Sequence, residues 1–517
     1  MKVTRNAPRG ARNDVTRRQK KPISTGSDWT FELIERYDRE IARLADGYGL
    51  DTYPNQIEII RSEQMLDALA SSGMPVGYHH WSFGKQFVTQ QQRYERGEMG
   101  LAYEMVINSN PCVAYLMEEN SMTMQALVIA HACYGHNSFF KGNYLYRSWT
   151  DASSIVDYLL FARTYIAECE SQHGIEAVEQ TLDSCHALMN YGVDRYKRPQ
   201  PLSASQERQR QQEREAYLQR TLNELWRTIP QGDGDAAGDA AAAARFPAEP
   251  EENLLYFIEK RAPLLETWQR EIVRIVRKLA QYFYPQGQTK VMNEGWATFW
   301  HYTLMHDLYD EGLVTDGFML EFLASHSGVI MQPGFDSPYY GGFNPYRLGL
   351  SMFQDLRRMC EAPTAEDRKW FPDIAGSDWQ VTLDEAMRNF KDESFVQQFL
   401  SPKVMRDLRL FCVVDDDRQD TLAIEAIHDD SGYRLLREAL ARQHNLGERE
   451  PDIQVYSVDL RGDRGLTLRH TRHRRRPLGA TTAEMLKHVH RLWGFPVRIE
   501  SMDGDAIAEV RQCPAAG

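Results

Sequence analysis

The 517-residue sequence has few cysteines, no long apolar run and no excess of positive charge. Each absence closes a class of explanation. Its seven cysteines (Cys112, Cys133, Cys169, Cys185, Cys360, Cys412 and Cys513) are odd in number and form no CxxC. That argues against a disulfide framework and a zinc ribbon, and for a reducing compartment. No apolar stretch approaches the roughly 18 residues that a membrane-crossing helix needs. The basic N-terminus lacks the apolar core of a secretory signal. A cytoplasmic protein with no membrane span is therefore expected. Lys and Arg number 60 against 73 Asp and Glu, a net charge of −13, so general nucleic-acid binding is not expected either.

What is present is a folded chain. A hydrophobic share of 42% and an aromatic share of 11%, over this length, supply core for two or three domains. Residues 1–27 carry eight Lys and Arg against Asp14 alone and read as a solvated, disordered basic tail. Asp28 is placed to cap a helix whose apolar face is Ile34, Tyr37, Ile41 and Leu44, ended by Gly47 and Gly49. From Tyr53 to about Leu202 the pattern is nearly all helical, broken by turns such as GMPVGYHHWSFGKQF. Within it, LAYEMVINSNP sets Glu104 in an apolar helical context. Residues 203–225 read as an exposed helix, and Pro230 to Asn253 as low-complexity; together, about 203–252 is a flexible insertion.

Helices return from Leu254 through Tyr284 and from Glu294 to about Tyr309. A long Gly- and Pro-rich loop follows over 325–349. After Ser401 short strand-like runs (LRLFCVV, TLAIEAI, IQVYSV, LTLRHT, FPVRIESM) alternate with amphipathic helices at 432–443 and 481–493. The fold class is a mainly α-helical large domain, residues 28–400, followed by a small C-terminal α+β domain, residues 401–517. The run RHTRHRRRP is the one dense basic cluster, a solvated hairpin end or a contact for an anionic partner.

Two apolar stretches end in ionisable groups. MTMQALVIAHACYGHNSFFKGN carries His131 and His136, and MNEGWATFWHYTLMH carries Glu294 and His301. Five residues apart on an α-helix, the two histidines would point about 140° from each other. Gly135, as a helix terminator, would let His136 turn back toward His131. Glu294 and His301, seven apart, share one face. A carboxylate among aromatics costs several kcal/mol unless it is paired or binds a metal, so an arginine partner and a metal are both open. His131, His136 and Glu294 would give the three protein ligands of a zinc site, with His301 as a fourth ligand or as the group that orients the carboxylate. Imidazole and carboxylate suit a divalent transition metal (zinc, iron or manganese), and an inward Cys133 would favour zinc.

Long stretches of the chain resemble a known family. LAYEMVINSNPCVAYL, VIAHACYGHNSFFKGNYLYRSWTDA, the run from ENLLYFIEKR to NEGWATFWHY, and FNPYRLG are similar to the stage V sporulation protein R (SpoVR-like) family, from about Trp29 to Ser501. The resemblance implies a role in spore cortex formation or, in bacteria that make no spores, in stress or stationary phase. It also implies a PrkA-type serine kinase and a von Willebrand-A-like protein as partners. NEGWA, Asn293 to Ala297, is in addition similar to the segment that supplies the glutamate ligand in gluzincin peptidases. Those enzymes take two histidines and a general base from HExxH. Here Ala132 follows His131, so the base would come from another helix: Glu104, Glu118 or Glu119, with Glu104 the candidate catalytic residue. The leading expectation is a metal-dependent hydrolase acting on a cell-envelope or peptide-like substrate. Its rival is a non-catalytic regulator or scaffold.

Overall fold

The structure is a computed structural model describing residues 21–70, 77–78, 80, 104–195, 245–334, 337, 340–410, 412–414, 423–426, 429–445, 450–473 and 476–514. The basic tail as far as Lys20, most of the GMPVGYHHWSFGKQF turn, residues 196–244 with most of the expected insertion over 203–252, and Arg474 and Arg475 lie outside them.

In chain order the elements are α1 (Phe31–Tyr48), β1 (Asn55–Ile60), α2 (Ser62–Ala70), β2 (Glu104–Ile107), β3 (Cys112–Met117) and α3 (Met122–Val128). A π-helix, Ile129–His136, continues α3 directly into α4 (Asn137–Gly142), and α5 (Tyr144–Trp149), α6 (Ile155–His173) and α7 (Ile175–Ala187) follow. Then come α8 (Leu254–Arg261), α9 (Thr267–Gln288), α10 (Lys290–Asp310), α11 (Asp316–Val329), α12 (Pro345–Glu361), α13 (Ala365–Trp370), α14 (Trp379–Asn389), α15 (Asp392–Phe399) and α16 (Pro402–Asp407). The chain closes with β4 (Cys412–Val414), β5 (Ala423–Ala426), α17 (Asp430–Gln443), β6 (Asp452–Val458), β7 (Leu466–Thr471), α18 (Thr482–Trp493), β8 (Val497–Asp503) and β9 (Ala506–Cys513). The fold is mainly helical with a small C-terminal α+β domain.

Two compact units emerge, neither continuous in sequence. One comprises Met1–Arg163 with Pro285–Asn445, the other Thr164–Tyr284 with Leu446–Gly517. In the first unit α10 is the central helix, with Val291, Met292, Trp296, Phe299, Trp300, Leu304 and Leu308 all buried. It packs against α12 and the π-helix at distances only small residues allow. A Cβ added to Gly349 would lie 2.1 Å from the Val291 carbonyl oxygen, and one added to Gly135 would lie 2.6 Å from the Ala297 Cα. Backbone meets backbone at both crossings.

The first unit also corrects several readings of the sequence. Thr30, not Asp28, caps α1: its side chain accepts from the Leu33 amide, while Gly49 ends the helix at φ 78°. The stretch after Tyr53 is not all helix. β1 runs parallel to β3 from Asn55↔Cys112 to Ile60↔Met117, and β2 runs antiparallel to β3 from Glu104↔Leu116. Glu104 therefore sits on a strand. Its run EMVI is four residues long, too short for an apolar period to separate strand from helix. The loop expected over 325–349 is shorter, because α11 reaches Val329 and Pro345 opens α12 behind an Asn344 cap. Glu294 does not open its helix, which starts at Lys290.

In the second unit β6-β7-β8-β9 form a four-stranded sheet in which only β7 and β8 are parallel. Val455, Leu468 and Ile499 of the sheet and Val489 of α18 are all buried. Strand β9 was not expected. Most of its residues are exposed, with Ile507 and Val510 each more than half open, so it shows no buried apolar face to read. Within the basic cluster, Arg469 pairs with Glu500 at 3.3 Å and Arg472 with Glu509 at 3.3 Å.

Candidate metal centre

Three elements of the first unit bring ionisable side chains to one point: β2 with Glu104, the π-helix with His131 and His136, and α10 with Glu294. The π-helix solves the spacing that an α-helix cannot. An α-helix bonds residues four apart, so residues five apart diverge; a π-helix bonds i to i+5, so His131 and His136 stack in successive turns. Their ring centroids are 4.6 Å apart. Gly135 does not end the helix as expected. It lies inside the π-helix, where its missing side chain admits Ala297 of α10.

The donor atoms converge. Glu104 Oε1 is 3.0 Å from His131 Nε2 and 3.7 Å from His136 Nε2. Glu294 Oε2 is 3.8 Å from His131 Nε2 and 3.5 Å from His136 Nε2. Among the described residues, Glu104, His131 and His136 form a donor group whose atoms all lie within 4.8 Å of one another. Proximity here is not hydrogen bonding. His131 Nε2, Glu104 Oε2 and Glu294 Oε2 are buried atoms with no hydrogen-bond partner, although a buried polar atom left alone costs about 1–3 kcal/mol. Buried polar atoms without hydrogen-bond partners, on side chains whose donor atoms converge, are what a metal-ligating set presents. The residues fit a divalent cation.

The outer nitrogens are anchored. His136 Nδ1 bonds Asn293 Oδ1 at 2.9 Å, and a carbonyl oxygen only accepts, so Nδ1 carries the proton and Nε2 faces the carboxylates. His131 Nδ1 bonds His301 Nδ1 at 2.8 Å. His301 thus meets the site through His131 rather than through the carboxylates. Cys133 is buried but outside the donor group, and burial pushes its thiol well up, so nothing here favours a thiolate. Glu118 and Glu119 are turned elsewhere: Glu118 lies 3.6 Å from Arg61, and Glu119 accepts from the Ser62 amide.

The charges are strongly coupled. Burial works against an ionised Glu104, yet His131 and His136 hold it down to about 2. Burial likewise disfavours a charged His131, but Glu104 and Glu294 raise it to about 9. Glu294 is lowered by the same histidines against its burial. Tyr346, on α12, was missed in the sequence. Its ring stacks 6.2 Å from His131, and burial together with Glu294 and Glu104 pushes its hydroxyl well above the ordinary value, so it stays a proton donor. The motif FNPYRLG that contains it was the available signal.

Comparison with known proteins agrees with the motifs. The profile of the family described as SpoVR like protein matches residues 28–449, and the SpoVR-like C-terminal domain matches residues 451–504. The chain belongs to the SpoVR family. It is 64% identical over 493 residues to the protein YcgB of Escherichia coli (strain K12), covering 95% of this chain and 96% of that one. No solved structure matches. No described helix of this SpoVR protein is long and apolar enough to cross a membrane.

Proposed function

We propose that the centre holds one divalent transition metal and hydrolyses an amide-like bond in a cell-envelope or peptide-like substrate, in the sporulation or stress physiology implied for SpoVR proteins. The observation that carries this is the convergence of Glu104 Oε1 and Glu294 Oε2 on the Nε2 atoms of His131 and His136, at 3.0–3.8 Å, in a site where buried polar atoms lack hydrogen-bond partners. Glu104, His131 and His136 hold the metal in this reading, since theirs is the tightest donor group. Zinc is the first metal to test, and iron and manganese suit the same donors. The bound metal supplies Lewis acidity that makes water a nucleophile near neutral pH.

The roles of the two glutamates are exchanged relative to the sequence expectation. Glu294, opposite Glu104, takes the proton of the attacking water and returns it to the leaving nitrogen. Tyr346 donates its hydroxyl proton in a hydrogen bond to the carbonyl oxygen as charge builds there. The carboxylates, at 18% exposure against 3% for His131, mark the side from which a substrate enters. Metal analysis of protein purified without a metal-binding tag tests the core claim. One equivalent is expected in wild type and in Glu294→Gln, and none in Glu104→Gln or His131→Ala, with the helical signal kept in all four. Removing the metal from wild type should lower the melting temperature, by a stability of about 2.7 kcal/mol if free metal stood 100-fold above Kd.

A second reading has its own support. Glu104 Oε1 and His131 Nε2, 3.0 Å apart, can also compensate each other as a buried ion pair. A cluster neutralised in this way suits a non-catalytic regulator working with a PrkA-type serine kinase and a von Willebrand-A-like protein. Absence of stoichiometric metal, with a melting point indifferent to chelator, selects that reading.

A further inference from the structure

Behind His131 stands a chain of rings that the hydrolytic chemistry does not use. His131 Nδ1 lies 2.8 Å from His301 Nδ1, and His301 Nε2 lies 2.8 Å from His326 Nδ1. The three side chains are buried at 3%, 1% and 4% exposure. They come from three elements, the π-helix, α10 and α11, so no local turn forces them into line. We infer that His326, two rings from the centre, is a positioning residue that fixes the tautomer of His131 and so keeps its Nε2 lone pair aimed at the metal site.

The argument is one of counting protons. Each of the two bonds holds one hydrogen, and a neutral imidazole has one donor and one acceptor nitrogen. If His131 Nε2 is bare, its proton is on Nδ1 and is donated to His301 Nδ1. His301 must then carry its proton on Nε2 and donate it to His326 Nδ1, which accepts. Reversing either bond reverses the other, with no change in net charge. His326 as donor would make His301 a donor to His131, move the His131 proton to Nε2, and cover the lone pair. The tautomer of the outer ring and the availability of the inner lone pair are therefore one variable. A carboxylate or carbonyl behind a ligating histidine can only accept; a second and third imidazole can run either way, which makes the terminal acceptor decisive.

The inference rests on His131 being a ligand, and the test separates the two claims. Zn²⁺ affinity is measured by competition with a chromophoric chelator on full-length wild type, His326→Gln, His326→Leu and His326→Met, with the melting point of each metal-free protein as a folding control. Gln keeps an acceptor oxygen for His301 Nε2 and should bind close to wild type. Leu and Met, of different shape, remove the acceptor and should each bind about 10–100-fold more weakly. If one apolar variant does not fold, the other still decides. Apolar variants that bind as tightly as wild type, or a Gln variant as weak as they are, overturn the positioning role while leaving the metal centre intact. A wild type that binds no Zn²⁺ overturns the centre and this role together.

Discussion

Replacing Gly349 with Ala adds one methyl group at the tightest helix crossing among the described residues. Its Cβ would sit 2.1 Å from the Val291 oxygen and 2.6 Å from the Gly295 Cα, where ordinary contact begins at 3.4 Å. Both neighbours are backbone and cannot rotate aside, so α10 and α12 must separate by about 1 Å. In an open helix the same change is favourable by about 0.5–1 kcal/mol, because glycine loses more freedom on folding. Overpacking a filled site costs about 1–3 kcal/mol, and a rigid neighbour puts this case at the upper end. The expected net loss is about 2 kcal/mol. Gly47, in the last turn of α1 with nothing within 4 Å of its added Cβ, is the control. Gly47→Ala should hold or gain stability. Urea midpoints followed by tryptophan fluorescence read both variants. Equal midpoints for Gly349→Ala and wild type, or a larger loss at Gly47, would refute the close-approach argument. Because Glu294 adjoins Gly295 and Tyr346 lies one turn before Gly349, Gly349→Ala should also weaken Zn²⁺ binding.

Three further outcomes are expected. Asp392 accepts from the Val291 and Met292 amides at 2.9 Å, capping the helix that carries Glu294; Asp392→Ala leaves both donors buried and should cost about 2 kcal/mol or more in denaturant titration. Asp367 is held down to about 2, because the Arg358 fork and Thr364 outweigh its burial, whereas an unfolded aspartate titrates near about 3.9. Its stabilisation is thus complete above about pH 4 and lost as pH falls through about 2, so the stability gap between wild type and Asp367→Asn should narrow across that window. Tyr346→Phe should keep its metal and lose about 10²-fold in turnover of a peptide-like substrate, if the hydroxyl serves the developing charge.

What could be read from the sequence was whatever obeys a single period. The buried face of α1 (Ile34, Tyr37, Ile41, Leu44) repeats at helical spacing, and β6, β7 and β8 carry apolar runs bounded by turns. Glu294 and His301 share a face because α10 is regular. The failures have one cause each. β1, β2 and β3 have four to six residues apiece, and their apolar character does not alternate cleanly. Strand β9 has no buried apolar face. The meeting of His131 with His136 depends on a local change of helical pitch, which no residue pattern in IAHACYGH announces. Tyr346 sits beside the centre only because two glycines, 295 and 349, let distant helices touch.

The π-helix has a consequence for how such a centre can be lost. A π turn amounts to one residue too many for an α-helix. Deleting a single residue between His131 and His136, Ala132 for instance, would let the segment relax to ordinary α-helical pitch with the two histidines four apart, still on one face. Because five residues over a π turn and four over an α turn carry the chain through nearly the same rotation, everything after the deletion would keep its direction. Phe139 and Phe140, both buried, and Asn137, which bonds Tyr53 and Asn55, would hold their places. One residue can therefore be gained or lost inside the centre without dismantling the packing that follows it.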